Sequence, residues 1–512
     1  MRQDSPALPD DSKSDREIEL KFLTSESGFK ASRQWPPLAA APPGAAHRLV
    51  TRYFDTANGD LERNCMVLRM RKQGRRHTLS LKWRRPSDGG IFERGEIEAI
   101  SPGPAPDPAL LGPDYAAMVE DVVRGQPLVP VYETDIRRAV SRITANASDI
   151  EVALDSGFIQ AGEKKSPVRE IELELKSGDP AELYRIGMSL AESCPVRLGM
   201  QPKAVRGAAL RSGKAPAAVR GISPLVGNPT VDEAIGHVIN ACIAQFTGNF
   251  PVFEAGDAVA AVHQMRVAIR RLRAILKAFG RSFPCAEFHT FRARAKRIAA
   301  VLGNGRDWDV FLQLLRDGPM PAFPEEKGFA PIIAAAERAR AAAYQAIDDM
   351  LAAPATTCFV LSMQSFVAQH GWRNALNAEA LPRLSAPAAE FATGHLHRLR
   401  AKLLKRGKHI ERLVPRERHK LRIGLKELRY TADPFSGLFR GSKTFSALLR
   451  HCARLQDLLG GYNDHIVAMD LLRRLETGDE AVYASGIFAG WCRRGAMSDG
   501  DDALRRAWKK FR

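Results

Sequence analysis

The period of the hydrophobic pattern changes near residue 229, and this change divides the chain into two kinds of fold. From residue 16 to about 211, short runs alternate polar and apolar residues between Gly, Pro, Asn and Asp positions, which predicts β-strands. One stretch in this part, residues 180–193, has helical spacing instead. Beyond 229, apolar residues recur at i, i+3, i+4 and i+7, which predicts long helices. We therefore predict an α+β multidomain chain whose two unlike domains, 16–211 and 229–495, are joined by a Gly- and Pro-rich linker at 212–228.

Charge is divided unevenly between these two parts. Residues 1–215 hold 32 Lys and Arg against 30 Asp and Glu, whereas residues 216–512 hold 44 against 28. The net +16 of the second part indicates a polyanionic partner, whether nucleic acid, polyphosphate or an anionic membrane surface. The sequence contains no run of about 18 apolar residues, so we predict no membrane span. Because residues 1–15 are polar and lack the apolar core of a secretory signal, we expect a disordered lead-in and a cytoplasmic protein.

Acidic and basic residues alternate with apolar residues in one predicted strand after another. In the first strand, Glu17, Glu19 and Lys21 project to one face while Ile18 and Leu20 project to the other. A solvated face of an antiparallel sheet explains one such strand, but six nearly pure Glu and Arg/Lys faces, each backed by apolar residues that need burial, favour a closed sheet. We predict an N-terminal eight-stranded antiparallel β-barrel with a charged lumen.

A lumen of this kind has a definite chemistry. Arg and Lys neutralise and orient phosphate oxygens, whereas carboxylates require a hard cation such as Mg²⁺ or Mn²⁺ beside phosphate. The combination predicts a phosphoryl-transfer site.

The ordered motifs of residues 16–211 resemble the CYTH family, the triphosphate tunnel metalloenzymes. The motifs that carry the resemblance are Glu17-x-Glu19-x-Lys21, Arg52-Tyr-Phe-Asp-Thr, Arg69-x-Arg71, Lys82, Arg94-x-Glu96, Asp155 and Glu172-x-Glu174-x-Lys176. The resemblance implies metal-dependent cleavage of a triphosphate. It assigns metal binding to Glu17, Glu19, Glu96, Asp155, Glu172 and Glu174, and catalytic roles to Glu17, Glu19, Lys21, Lys82 and Arg94. The implied substrate-binding residues are Arg52, Arg69, Arg71, Arg138, Lys176 and Lys203, with Arg138 favoured over Arg137 by strand parity.

An internal repeat organises the helical part. His263-x-x-Arg266-x-x-x-Arg270-x-x-Arg273 recurs as His419-x-x-Arg422-x-x-x-Lys426-x-x-Arg429, and Arg306-Asp307 is matched by Asn463-Asp464. We predict two homologous bundles, at about 229–380 and 385–495, and a basic tail at 496–512. Each basic set lies on one helical stripe about 80° wide, where cations repel unless an anion covers them. Either His taken singly is explained as a partly buried residue, but the duplicated stripes favour phosphate binding.

These repeats resemble the CHAD family of helical domains over roughly residues 229–495. The resemblance implies a basic groove for inorganic polyphosphate, lined by His263, Arg266, Arg270, Arg273, Arg306, His419, Arg422, Lys426 and Arg429. Nucleic acid is the less favoured partner, because the stripes contain only Tyr430 for base stacking.

The sequence thus predicts a Mg²⁺- or Mn²⁺-dependent triphosphatase, acting foremost on inorganic triphosphate, with a polyphosphate-binding module that could place it on polyphosphate granules. Two alternatives stay open. In the first, the barrel is inactive and the chain is a polyphosphate-binding granule protein. In the second, the barrel acts on thiamine or nucleoside triphosphates, including cyclase chemistry on ATP.

Overall fold

The structure is a computed structural model that describes residues 16–42, 44–83, 93–497 and 500–512, without the side chains of residues 16, 17, 93, 94, 496, 497, 500 and 501. The predicted lead-in, residues 1–15, lies outside the described residues. Two compact units are present: a sheet unit, which extends to Ala217 and includes Leu351–Gln369, and a helical unit, Ala218–Met350 with His370–Arg512. The predicted α+β layout is confirmed.

The described strands all belong to the sheet unit. They are β1 (Arg16–Thr24), β2 (Ala46–Asp55), β3 (Met66–Gln73), β4 (Arg76–Trp83), β5 (Glu93–Ser101), β6 (Val129–Ala145), β7 (Ser148–Ala161), β8 (Lys164–Ser177) and β9 (Val196–Leu198). Its helices before the linker are α1 (Glu26–Ser32), α2 (Pro36–Ala39), α3 (Asp60–Arg63), α4 (Pro113–Val123), α5 (Pro180–Ser193) and α6 (Lys203–Ser212).

The remaining helices follow the linker. They are α7 (Val231–Thr247), α8 (Phe250–Glu254), α9 (Ala258–Ser282), α10 (Ala286–Asp317), α11 (Phe329–Ala352), α12 (Pro354–Ala368), α13 (Ala388–Arg406), α14 (Pro415–Ala432), α15 (Lys443–Leu472), α16 (Val482–Met497) and α17 (Gly500–Phe511). Short 3₁₀ turns lie at Pro108–Leu111, Met320–Ala322, Arg373–Ala375, Leu381–Ser385, Ile410–Arg412, Asp433–Phe439 and Asp479–Ala481.

The strands pair antiparallel in the order β5-β4-β3-β2-β6-β7-β8-β1-β9. β5 also pairs with β1 over three residue pairs, from Arg16 with Gly95 to Ile18 with Glu93, so each of β2 to β8 has two neighbouring strands and β1 has three. The predicted eight-stranded antiparallel barrel is therefore, within the described residues, a nine-stranded antiparallel sheet whose end strand β5 also pairs with β1 over those three residue pairs. The sequence missed β9 because three residues are too few to show alternation.

The two faces of the sheet follow from the alternation along its strands. Lys21 pairs with Glu172 on one face, which we call the charged face, while Leu20 pairs with Leu173 on the other. Leu20 and Phe22 are fully buried under α5, where Gly187 packs so closely that an added methyl group would lie 2.8 Å from Leu20 Cδ1. Burial of this apolar face holds the charged face in register.

Helix α12 belongs to the sheet unit although the chain reaches it only after α11. Leu361, fully buried, approaches Gly187 of α5, and the Cys358 Sγ lies 3.9 Å from the carbonyl oxygen of Met188. The sequence predicted this segment as part of the first helical bundle. It lies elsewhere because its composition, PATTCFVLSMQSFVA, is apolar on nearly every side and requires burial all round.

The predicted basic tail contains helix α17, whose apolar side is buried. Leu504, Trp508 and Phe511 pack in one core with Leu421 and Leu425 of α14. The apolar residues recur every three or four positions, so the basic residues occupy only the outer side of this helix.

No single helix in the described part of the chain has the length and hydropathy of a membrane span, although the bent pair α11 and α12 meets that test by length and composition.

Candidate functional site

The charged face brings together groups from β1, β6, β7 and β8. Lys21 Nζ lies 2.7 Å from Glu19 Oε1 and 2.8 Å from Glu172 Oε1. Arg138 donates to both carboxylate oxygens of Asp155, at 2.7 and 2.6 Å, and to Glu172 Oε2 at 2.5 Å. Arg138 lies directly opposite Asp155 in the register of β6 and β7, so strand pairing itself builds this contact.

Helix α6 adds a second layer of cations to the same carboxylates. Lys203 Nζ lies 2.8 Å from Asp155 Oδ2, 2.6 Å from Glu170 Oε2 and 2.8 Å from Glu172 Oε1. Arg206, one turn further along α6, contacts Glu170. Neither Glu170 nor Arg206 was predicted as a site residue. Glu170 shares the parity of Glu172, and this signal could have identified it, whereas the contact of Arg206 with Glu170 depends on the tertiary fold.

A second group of charges lies on β3, β4 and β5. Arg69 Nη2 and Lys82 Nζ each lie 2.8 Å from a carboxylate oxygen of Glu96. Glu98 accepts from Ser80 Oγ at 2.7 Å and lies 3.6 Å from Arg69. Here too each cation lies beside a carboxylate, Lys82 on the strand next to Glu96 and Arg69 across β4 from Glu96 and Glu98.

Arg71 is the exception in this balanced arrangement. Its side chain is mostly buried, its Nε is a buried donor without an acceptor, and no carboxylate among the described residues lies within ion-pair distance. The neighbouring cation Arg69, then burial, then Arg138 lower the pKa of Arg71 to about 10. An anion in contact with Arg71 would relieve this repulsion.

Burial and pairing act against each other on the central groups. Burial disfavours the ammonium of Lys21, but Glu172 and Glu19 nevertheless raise its pKa. Burial likewise opposes ionisation of Glu172 and Asp155, but Lys203 and Arg138 lower the pKa of both carboxyl groups. Lys21 adds to this effect at Glu172, whose pKa lies well below its usual range. The same carboxylates raise the pKa of Lys203 despite its burial. All these groups are therefore charged at neutral pH.

Several predicted residues lie outside this cluster. Arg52 projects from the opposite face of β2 and lies 3.5 Å from Glu133, so the structure does not bring it to the charged face as the resemblance implied. Its neighbour Thr51, rather than Arg52, has the parity of Arg71. Arg137 is exposed, whereas Arg138 lies in the cluster. Lys176 contacts Glu174 at 2.6 Å. The backbones of Glu17 and Arg94 lie in β1 and β5, but their side chains lie outside the described residues.

Carboxylates suited to a divalent cation occur at the centre of the charged face. Oxygens of Asp155, Glu170 and Glu172 lie within 4.8 Å of one another, and all three side chains are buried. Hard carboxylate oxygens are ligands that Mg²⁺ and Mn²⁺ prefer, so this donor set fits either ion. Of the predicted metal ligands, Asp155 and Glu172 belong to this trio, and Glu19 is joined to Glu172 through Lys21.

The helical unit brings its two basic stripes together, one on α9 and one on α14. Arg266 donates to Asp307 at 3.1 Å and to the carbonyl oxygen of Gly303 at 2.8 Å. In the second repeat, Arg422 lies 3.4 Å from Asp464, the residue that matches Asp307. The duplicated motifs therefore make equivalent contacts.

We call the region between the two stripes the groove, and its central cations repel one another across α9 and α14. Burial, then Arg270, Arg422 and Arg266, lower the pKa of Lys426 to about 7. Burial and Arg266 likewise lower the pKa of Arg270, while Tyr430 raises it. Such proximity of like charges indicates a site built for an anion.

The remaining predicted groove residues lie on α9, α10 and α14. His419 Nδ1 lies 2.9 Å from Asn463 Oδ1, and both predicted histidines are exposed. Partial desolvation by the surrounding protein, then Arg306 and Arg266, lower the pKa of His263 although its side chain is exposed to solvent. Arg429 donates to Gln456 at 3.2 Å, and the buried Nε of Arg273 has no acceptor within the described part of the chain.

Comparison with known families divides the chain at the same place. Residues 15–208 match the family model of the CYTH domain, and residues 237–473 match that of the CHAD domain.

Individual relatives cover each part. The inorganic triphosphatase of Haemophilus influenzae is 32% identical over 201 residues, which are 38% of this chain and 55% of that protein. An uncharacterised protein of Mycobacterium tuberculosis is 26% identical over 319 residues, 57% of this chain and 58% of that protein. The chain spans little more than half the length of these relatives. The crystal structure of the CHAD domain from the plant Ricinus communis covers 58% of this chain and 97% of its own, with 28% identity and a TM-score of 0.48.

Proposed function

We infer that this chain, which carries a CYTH domain followed by a CHAD domain, is a metal-dependent triphosphatase, acting foremost on inorganic triphosphate, that also binds polyphosphate. Its similarity to an inorganic triphosphatase over 201 residues supports the first activity. The reaction belongs to the charged face of the sheet unit, and polyphosphate belongs to the groove of the helical unit.

The environment of the Arg71 side chain gives the strongest structural support for the triphosphatase proposal. A buried guanidinium with cations on two sides and no described carboxylate partner is stabilised by a multivalent anion. Triphosphate supplies several oxygens that Arg71, Arg69 and Arg138 could share.

The other charged residues have complementary roles in this proposal. Asp155, Glu170 and Glu172 would hold Mg²⁺ or Mn²⁺, which neutralises charge on the phosphate oxygens when bound. Lys203 and Lys21 now contact these carboxylates and are close enough to turn to phosphate. Because all of these groups sit on paired strands or at the start of α6, the substrate meets charges already in position.

The polyphosphate proposal rests on the two facing stripes. Repulsion among Arg266, Arg270, Arg422 and Lys426 falls when a polyanion lies between α9 and α14. A bare phosphate chain suits a groove that offers cations and one aromatic residue, Tyr430. Binding to polyphosphate would place the protein on polyphosphate granules.

A substrate panel tests the enzymatic proposal. The purified chain is incubated with triphosphate, thiamine triphosphate or ATP, each with Mg²⁺ or Mn²⁺, and released phosphate is measured. We expect fastest release from triphosphate and almost none from the Glu172→Gln variant. Equal release by that variant would indicate a contaminating enzyme. No release from any substrate, with polyphosphate binding retained, would favour the inactive granule protein, and faster release from an organic triphosphate would favour the other alternative.

A further inference from the structure

We propose that the helical unit has a second polyanion surface, formed by α13, the start of α14 and the outer side of α17, which holds the continuation of a polyphosphate chain bound in the groove. The proposal rests on the proposed function of that groove. We call this region the outer basic surface and define it by the exposed cations of residues 396–420 and 500–512. These two segments hold 15 Lys and Arg against 4 Asp and Glu. Their net +11 is most of the +16 carried by residues 216–512.

The three helices of this surface share one apolar core, so their polar sides adjoin. Leu396 and Leu403 of α13 pack with Leu421 of α14 and Trp508 of α17. Arg400 of α13 donates to the carbonyl oxygens of Phe511 and Arg512 at 3.3 and 2.6 Å. The exposed cations of α13 and α17 therefore lie on neighbouring helices rather than on separate parts of the unit.

The cations are aligned and mostly unpaired. Arg398, Lys402 and Lys405 recur at i, i+4 and i+7 on α13, and Arg505 and Lys509 recur at i and i+4 on α17. Arg505 contacts Asp502, whereas Lys402, Lys405, Arg506, Lys509 and Lys510 have no carboxylate within 4.0 Å in the described part of the chain. An ordinary solvated helix would place Glu or Asp at i+4 from such residues.

Compensation of the helix macrodipole explains only part of this pattern. Lys405 and Lys509 lie in the last turns of α13 and α17, where cations are favourable. Arg416 lies in the first turn of α14, where the macrodipole disfavours a cation, and Lys420 lies one turn further along. Their exposure at that end favours an external anion.

The chemistry of the surface favours a bare phosphate chain over the other polyanions. Trp508 and Phe511 are 4% and 3% exposed, so the aromatic residues of α17 offer no platform for bases. The apolar side of α17 is buried in the core and is not available to enter a membrane. Helix α14 also connects the two regions, since Arg416 of the outer basic surface lies one turn before His419 of the groove.

Chain length separates the two sites experimentally. Full-length protein in EDTA, which keeps the triphosphatase idle, is titrated with short-chain and long-chain fractions of inorganic polyphosphate. In the Arg506→Gln/Lys509→Gln/Lys510→Gln variant, we expect long-chain affinity to fall about tenfold with short-chain affinity unchanged. Arg270→Gln, in the groove, should weaken both. The control Lys327→Gln/Arg338→Gln/Arg474→Gln removes three exposed cations elsewhere on the helical unit and should change neither.

A second variant, Lys402→Gln/Lys405→Gln, tests α13 independently of α17 and should weaken long-chain binding alone. The proposal is overturned if both surface variants bind long chains as the control does. It is also overturned if they lose affinity for duplex DNA or phosphatidylserine vesicles but keep it for long-chain polyphosphate. If Arg270→Gln binds normally while the surface variants weaken long-chain binding, the groove assignment fails and the outer basic surface stands.

Discussion

Lys426 is the residue whose charge determines how the groove responds to pH. Burial and three neighbouring arginines lower its pKa from 10.5 to about 7. Between these values the unfolded chain binds more protons than the folded one, so without an anion the stability of the helical unit rises with pH. A bound polyanion favours the ammonium, so affinity for polyphosphate should fall as pH rises from about 6 to about 8. Lys426→Arg, the residue type of the first repeat, should flatten this dependence in a titration across that range; an equally steep profile would contradict the assignment.

Individual residues were predictable where strand parity alone decides their position. Parity placed Glu19, Lys21, Asp155 and Glu172 together, and it separated Arg138 from Arg137. Parity also argues against a place for Arg52 on the charged face. Tyr53 and Thr51 pair with Arg69 and Arg71 and therefore lie on that face, so Arg52 lies on the other. The family resemblance included Arg52 because of its place in the order of motifs, and that order does not indicate on which face of a strand a residue lies. Arg206 could not be placed from sequence, since α6 reaches Glu170 only through the tertiary fold.

At the scale of elements, α12 is required by the sheet unit although it is distant from it in sequence. Leu361 packs against α5, which in turn covers Leu20 and Phe22 of β1, the strand that carries Glu19 and Lys21. We expect Leu361→Ala to destabilise the protein by about 2–5 kcal/mol and to increase hydrogen exchange in α5 and β1. Leu381→Ala removes the same atoms from a position 41% exposed and serves as the control. Equal exchange in the two variants would show that α12 does not support the sheet unit.

The elements that sequence predicted well are those with a strong period of their own. Helix α5 has the predicted bounds, 180–193, and the long strands show clear alternation. Helices α12 and α17 were misassigned because their partners, α5 and α14, are far away in the sequence. No local pattern states which apolar surface a helix will cover.

For the whole molecule, the buried charge cluster predicts a specific loss of stability in acid. Glu172 and Asp155 have pKa values below their usual 4.5 and 3.8 because of Lys203, Arg138 and, for Glu172, Lys21. As pH falls through this range the unfolded chain takes up protons first, so stability present at neutral pH is lost. Glu172→Gln should cost about 3–5 kcal/mol at neutral pH and progressively less in acid, as measured by urea unfolding. A cost independent of pH would refute this account of the cluster.

If the charged face of the sheet binds and cleaves triphosphate, two adjacent residues on β3 should differ in their effect on activity. Arg71 lies on the charged face without a carboxylate partner among the described residues, and Lys72 is exposed on the other face. Because Arg71→Gln breaks no described ion pair, the fold should persist, which an unfolding curve verifies. Phosphate release from triphosphate with Mg²⁺ or Mn²⁺ should show kcat/KM lowered on the order of 10²-fold in Arg71→Gln and unchanged in Lys72→Gln. Equal activity in the two variants, or no activity in the unaltered chain, would contradict the claim.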